Sequence, residues 1–213
     1  MATPIGHVLA GYAVSRLASV PATQSTPPIH PDGPTRRIWR ILVEPWPITA
    51  LCVFMAIAPD LDLIPGLLQG KPILYHGGIT HSLGGGVLLS LGVAGVGSYF
   101  GWPFRRVLVL GFVAYASHLL LDPLGPDGRV PYGIPILWPL SDARFLFPTP
   151  LLPGVRHAGT ADATLAEFVR GVLSVHNITA IASEVLLLAP WIGLGLWRTH
   201  SKLITGEADS CRR

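Results

Sequence analysis

The chain alternates between long apolar runs and polar segments. Residues 4–20, 47–68, 81–100, 104–124 and 178–197 are apolar over most of their length. Residues 21–45, 69–80, 125–174 and the tail from Arg198 are not. Apolar runs of about 20 residues are long enough to cross a bilayer as helices. The first run suits a helix capped by Thr3 with Pro4 in its first turn. It is short and carries Arg16, so it either spans with the arginine snorkelling or lies in the interface. Pro59 and Pro65-Gly66 weaken or end the second helix in its later half. Glycines inside the third and fourth runs fit close helix packing in lipid. Residues 125–174, rich in Pro and aromatics, hold no span, and Glu184 and Pro190 interrupt the last helix. The pattern predicts an all-α integral membrane bundle of four or five helices, with the long Pro-rich loop over one end. It forms a single membrane-embedded domain over residues 1–200, followed by a polar tail, 201–213.

Composition sharpens this picture. Half of the 213 residues are hydrophobic and 13% are charged, against about 25% charged in an ordinary soluble domain. Mean hydropathy is +0.50. The net charge of +3 comes from scattered cations with no basic stripe among aromatics, which argues against a nucleic-acid partner and leaves membrane lipid. Cys52 and Cys211 form no disulfide framework. The first residues lack the basic start and cleavage site of a signal peptide.

Polar residues interrupt the apolar runs where charge is costly. They are His7, Asp60, Asp62, His76, His81, His118 and Asp122, all histidine or carboxylate. His118 and Asp122 are four apart and share a helical face. Asp60 and Asp62 straddle one residue at the Pro-weakened helix end. His76 and His81 flank Gly77 and Gly78, which let the backbone fold tightly. If the first helix spans and the chain alternates sides, ten Lys and Arg lie on one side and five on the other. The positive-inside bias makes the richer side cytoplasmic, and all the motifs then fall at helix ends on the opposite, extracytoplasmic face.

Mixed imidazole and carboxylate donors suit zinc, and also manganese or iron. Seven candidates exceed one tetrahedral ion, so two ions, or one ion with supporting carboxylates, fit the set. Such a site suits hydrolysis, with Asp60 and Asp62 as ligand and bridge or base. Thr80, Ser82 and Ser117 are expected as supporting donors. Glu184 either faces the site or bonds a neighbouring helix. Trp138 either lines an entrance or joins Trp191 and Trp197 in an interfacial belt. His30, His157 and His200 read as surface residues, and His176 as one with a minor claim on the site.

Taken in order, Gly6-His7, Pro59-Asp60-Leu61-Asp62, His76-Gly77-Gly78-Ile79-Thr80-His81-Ser82 and Ser117-His118-Leu119-Leu120-Leu121-Asp122 resemble the YdjM-like membrane-bound metal-dependent hydrolases. So does the downstream stretch Gly133–Leu140. The resemblance covers roughly residues 5–147. It implies a multi-pass inner-membrane protein with a ligand pattern similar to zinc-dependent phospholipase C. One departure is Gly77, where members often carry an arginine able to hold a substrate phosphate. The expected function is hydrolysis of a lipid or amphiphilic ester, plausibly a phosphoester. Two rivals are a metal-ion or proton transporter, whose site belongs nearer the bilayer midplane, and a non-catalytic scaffold with a closed metal shell.

Overall fold

The computed structural model describes residues 1–18, 46–128, 130–157 and 163–210, with side chains through Ser201. The fold is all-α. Among the described residues the only β-pairing is an isolated bridge between Ile134 and Phe145. Helix α1 runs Pro4–Ala18, α2 Trp46–Ile57, α3 Leu63–Leu68, α4 Leu83–Tyr99, α5 Phe104–Leu121, α6 Leu165–Val172 and α7 Val175–Ser210. Short 3₁₀ turns at Ala58–Asp62, Ile79–His81 and Asp122–Leu124 join or extend them.

Among the described residues three segments are long and apolar enough to cross a membrane: Trp46–Leu68, Phe104–Leu124 and Val175–Ser201. Leu83–Tyr99 is apolar but shorter; its 17 residues reach roughly 25 Å, a little under the hydrocarbon thickness. Pro190 lies inside α7 without ending it. The helix also runs on to Ser210, beyond the predicted end near residue 197. The apolar run stops near residue 197, and the polar residues that follow carry no helical periodicity, so the pattern could not show the extension.

Helix α1, expected either to span or to lie in the interface, packs against α2, α5 and α7, and its Gly6, His7, Ala10, Gly11, Ala13, Ser15 and Arg16 are buried. Arg16 does not snorkel. Its guanidinium reaches Ser15 Oγ at 3.4 Å and Thr49 Oγ1, and lies 5.0 Å from the centre of the Tyr12 ring. The main core joins α2, α4 and α5 through Leu51, Cys52, Met55, Ala94, Val107, Ala114, Tyr115 and Leu119.

The opening residues are tied down by distant partners. Ala2 N–H donates to Asp122 Oδ1 at 3.0 Å, and Thr3 N–H to Glu184 Oε1 at 2.7 Å. The Thr3 hydroxyl donates to the other Glu184 oxygen and accepts from Gly6 N–H at 3.1 Å. Thr3 therefore caps α1 as predicted, while Glu184 holds the cap from α7. Gly6 makes room for this: a Cβ there would lie 2.7 Å from Glu184 Cδ.

Candidate metal centre

Each site segment sits at a helix end for a local reason. Pro59 breaks α2 into the Ala58–Asp62 3₁₀ turn, which carries Asp60 and Asp62. Gly77 adopts a φ of +75°, open to glycine at little cost, and so turns His76 back toward the 3₁₀ segment that carries His81. Tyr115 donates its hydroxyl to the Thr80 carbonyl and fixes that segment to α5. His118 occupies the last turn of α5, and Asp122 follows it.

These elements bring all seven predicted residues together. His81 Nε2 lies 3.5 Å from Asp60 Oδ1 and 3.6 Å from Asp122 Oδ2. His118 Nε2 lies 3.6 Å from the same Asp60 oxygen and 3.2 Å from the same Asp122 oxygen. Donors about 2.0–2.2 Å from a tetrahedral ion stand about 3.3–3.6 Å apart, so these four imidazole–carboxylate separations are close to those between ligands of one ion. Three overlapping groups meet the separation a shared ion requires: His7, His118 and Asp122; Asp60, His81 and His118; Asp62, His76 and His81.

The remaining contacts orient those donors. His118 Nδ1–H donates to the Ala56 carbonyl at 2.7 Å, which leaves Nε2 as the donor facing the cluster. His81 Nδ1 faces Asp62 Oδ2 at 3.2 Å, which does the same for its Nε2. An imidazole held from behind by carbonyl or carboxylate is the common arrangement of a metal ligand. Asp62 also accepts from Gly77 N–H at 3.1 Å, the Thr80 hydroxyl at 2.8 Å and His76 Nδ1 at 2.8 Å. His7 stacks on His118, with ring centres 3.6 Å apart, and its Nε2 is 3.3 Å from Asp122 Oδ1.

Burial and charge favour a cation here. His7, His81, His118 and Asp122 are at most 2% exposed. Yet His7 Nδ1, His81 Nε2, His118 Nε2 and Asp122 Oδ2 make no hydrogen bond. Each such orphan costs about 1–3 kcal/mol, and the last three, linked at 3.2–3.6 Å through Asp122 Oδ2, call for a common partner. His81 precedes α4, in the turn ahead of the span. Burial disfavours its charged form, but the Asp60 and Asp62 carboxylates beside the ring outweigh this and raise its pKa to about 10. The carboxylates thus set up a field that selects positive charge. The residues present fit a divalent ion.

Not every expected residue serves the cluster. Thr80 does, through Asp62. Ser82 instead caps α4, accepting from Gly85 N–H at 3.0 Å and donating to the Ile79 carbonyl. Ser117 donates to the Ala114 carbonyl at 2.6 Å, within its own helix. Glu184 holds Thr3 and belongs to none of the three donor groups. Trp138 is half-buried over the start of α4, where its carbonyl accepts from Gly84 N–H at 3.0 Å. His176 bonds the Gly154 carbonyl at 3.0 Å, and His30 lies outside the described residues. His157, expected at the surface, is instead half-buried, its ring centre 6.3 Å from that of His76. Arg144, which the sequence did not single out, donates to the carbonyls of Gly133 at 3.0 Å and Gly77 at 2.8 Å, so a guanidinium docks on the Gly77 turn.

The YdjM inner membrane protein family matches residues 1–201. The chain belongs to that family. No curated protein and no solved structure matches. The match covers every residue of the cluster, and with three helices able to span it establishes an inner-membrane protein of the YdjM family.

Proposed function

We propose that this YdjM-family protein is a metal-dependent hydrolase acting on a lipid or amphiphilic ester, most naturally a phosphoester. One observation carries the reading. His81 Nε2, His118 Nε2, Asp60 Oδ1 and Asp122 Oδ2 lie 3.2–3.6 Å apart in the four pairs that alternate imidazole and carboxylate, and three of these atoms are buried orphans.

In this reading those four residues hold one ion, zinc or else manganese or iron. Asp62, His76 and Thr80 orient His81, and Ala56 orients His118. His7 either steadies Asp122 and His118 or helps to hold a second ion. A bound divalent cation supplies a Lewis acid and lowers the pKa of coordinated water from about 15.7 toward about 7. Asp60 is the most exposed of the three carboxylates, at 18% against 9% and 2%, and is the side chain best placed to meet water and substrate. It takes the proton as the water oxygen attacks phosphorus or carbonyl carbon, and returns it to the departing alkoxide as the ester bond breaks. Arg144 supports an anionic substrate, since it fixes a cation beside the His76 turn. The position of the cluster at helix ends, facing the extracytoplasmic side by the charge bias, disfavours a transporter, and the exposure of Asp60 disfavours a closed scaffold.

Metal analysis of purified protein tests the centre: the wild type retains zinc or manganese, and His81→Ala loses it. Hydrolysis of a phospholipid panel tests the activity: it stops with chelator, returns with metal, and is absent in Asp60→Ala. Equal and negligible metal in wild type and His81→Ala would refute the centre. Retained metal with no hydrolysis of any ester would leave a scaffold.

A further inference from the structure

Helix α6 breaks the long loop that sequence read as devoid of a span, and it is too short to be one. Thr164 and Glu167 close a reciprocal capping box at its start, with Glu167 N–H on Thr164 Oγ1 at 3.4 Å and Thr164 N–H on Glu167 Oε2 at 2.8 Å. The helix thus has its own start signal. At 100° per residue, Leu165, Val169 and Val172 fall on a stripe about 60° wide. All three are exposed, as are Leu173, Val175 and Ile178 immediately after. Glu167 and Arg170 lie on the other side of the helix. Phe168, between these faces, packs toward Leu63, Ile73 and Ala163 and stacks near His157.

Its surroundings fix where α6 sits. Asn177, in the first turn of α7, donates to the carbonyls of Gly171, Val172 and Arg156. Helix α6 is therefore clamped to the start of α7. Only Leu173 and Ser174 separate it from a segment able to cross the membrane, a reach of about 10 Å. His157 and Ile73 place it at the same end of the bundle as the His76 turn.

We propose that α6 lies in the plane of the membrane surface beside the donor cluster, with Leu165, Val169 and Val172 immersed in the lipid interface and Glu167 and Arg170 in water. The occupant of this apolar stripe is the bilayer itself: the stripe is followed at once by exposed Leu173, then by exposed Val175 and Ile178 in the segment long and apolar enough to cross the membrane. A helix with one face on protein, one on lipid and one in water is the arrangement of an interfacial anchor. This inference does not depend on hydrolysis or on a metal.

Nitroxide labels on the full-length protein, with Cys211 replaced by Ser and Cys52 fully buried, give a direct reading. In phosphatidylglycerol–phosphatidylcholine vesicles, Leu165→Cys, Val169→Cys and Val172→Cys should relax several-fold more with oxygen relative to a water-soluble nickel chelate than Glu167→Cys and Arg170→Cys. Leu186→Cys, exposed on α7, serves as the lipid reference and as proof of insertion in each preparation. Equal nickel access at both sets would place α6 in water. Protection of the apolar set from both probes would mean that protein, such as a second copy, covers it. Either result overturns the proposal.

Discussion

Helix α1 buries an ionisable side chain near each end, and the two ends treat it in opposite ways. Arg16 and His7 are both at most 1% exposed. Around Arg16 polar atoms meet polar atoms: Ser15 Oγ, Thr49 Oγ1 and the Tyr12 ring face the guanidinium, and Ser15 also donates to the Tyr12 carbonyl at 2.7 Å. Around His7 four buried donor or acceptor atoms are left without a hydrogen bond. Burial alone therefore does not mark a functional site in this protein. Satisfied polar burial is architecture, whereas unsatisfied burial that converges on one point is a site awaiting a ligand.

The largest test of that contrast is His118→Leu. It removes one of the four converging donors and one orphan. Metal affinity, read by competition with a chromophoric chelator, should fall by more than about 100-fold, beyond the usual cost of an outer-shell change. The stability of chelator-treated protein should change by no more than about 2 kcal/mol, because two effects of opposite sign nearly cancel: the orphaned Nε2 is removed, while the Ala56 carbonyl loses its Nδ1–H donor. A large loss of stability without metal would show that His118 is architectural after all.

Asp62→Asn sharpens the comparison from behind the donors. Asp62 faces His81 Nδ1 and accepts from His76, Gly77 and Thr80. The amide keeps an acceptor but loses the charge that orients the imidazoles. Metal affinity should drop by about 10–100-fold with stoichiometry unchanged. Loss of a full equivalent of metal would instead make Asp62 a direct ligand.

Thr49→Val applies the same kind of change to the other end. Removing this acceptor from a buried guanidinium should cost about 1–3 kcal/mol, measured by reversible denaturation in detergent. Metal content should stay the same. The two ends would then respond oppositely: stability without metal at Arg16, metal without stability at His118.

The spans and the gathering of these histidines and carboxylates at helix ends were legible from sequence because each signal is local. Apolar runs mark the spans, Pro59 marks the break at Asp60, and the spacing of His118 and Asp122 puts both on one face. What stayed hidden depends on partners far along the chain. Thr49 is 33 residues from Arg16 and Arg144 is 67 from Gly77, and no periodicity links them. The short, arginine-bearing α1 was expected either to span with Arg16 snorkelling or to lie in the interface, since nothing local announced a buried partner for its charge. Thr80 and Ser82 show a finer limit. Both are good caps by type, and which one serves depends on where α4 begins, a boundary uncertain by a residue or two. Helix α6 is eight residues long, too short for its stripe to stand out from the loop around it.

Ser117→Ala has the smallest expected effect and bears on the border between the two kinds of polar residue. Ser117 neighbours His118 in sequence, and by that proximity it was a natural supporting donor. A helix turns about 100° per residue, so the side chain next to a ligand points elsewhere, and its hydroxyl bonds the Ala114 carbonyl one turn back. Such back-bonding adds little and alanine is the better helix former. Stability should therefore change by no more than about 0.5 kcal/mol, and metal affinity should not change. A measurable loss of metal would mean that the hydroxyl leaves its own helix to join the cluster. The line between satisfied and converging polar groups would then have to be redrawn to include it.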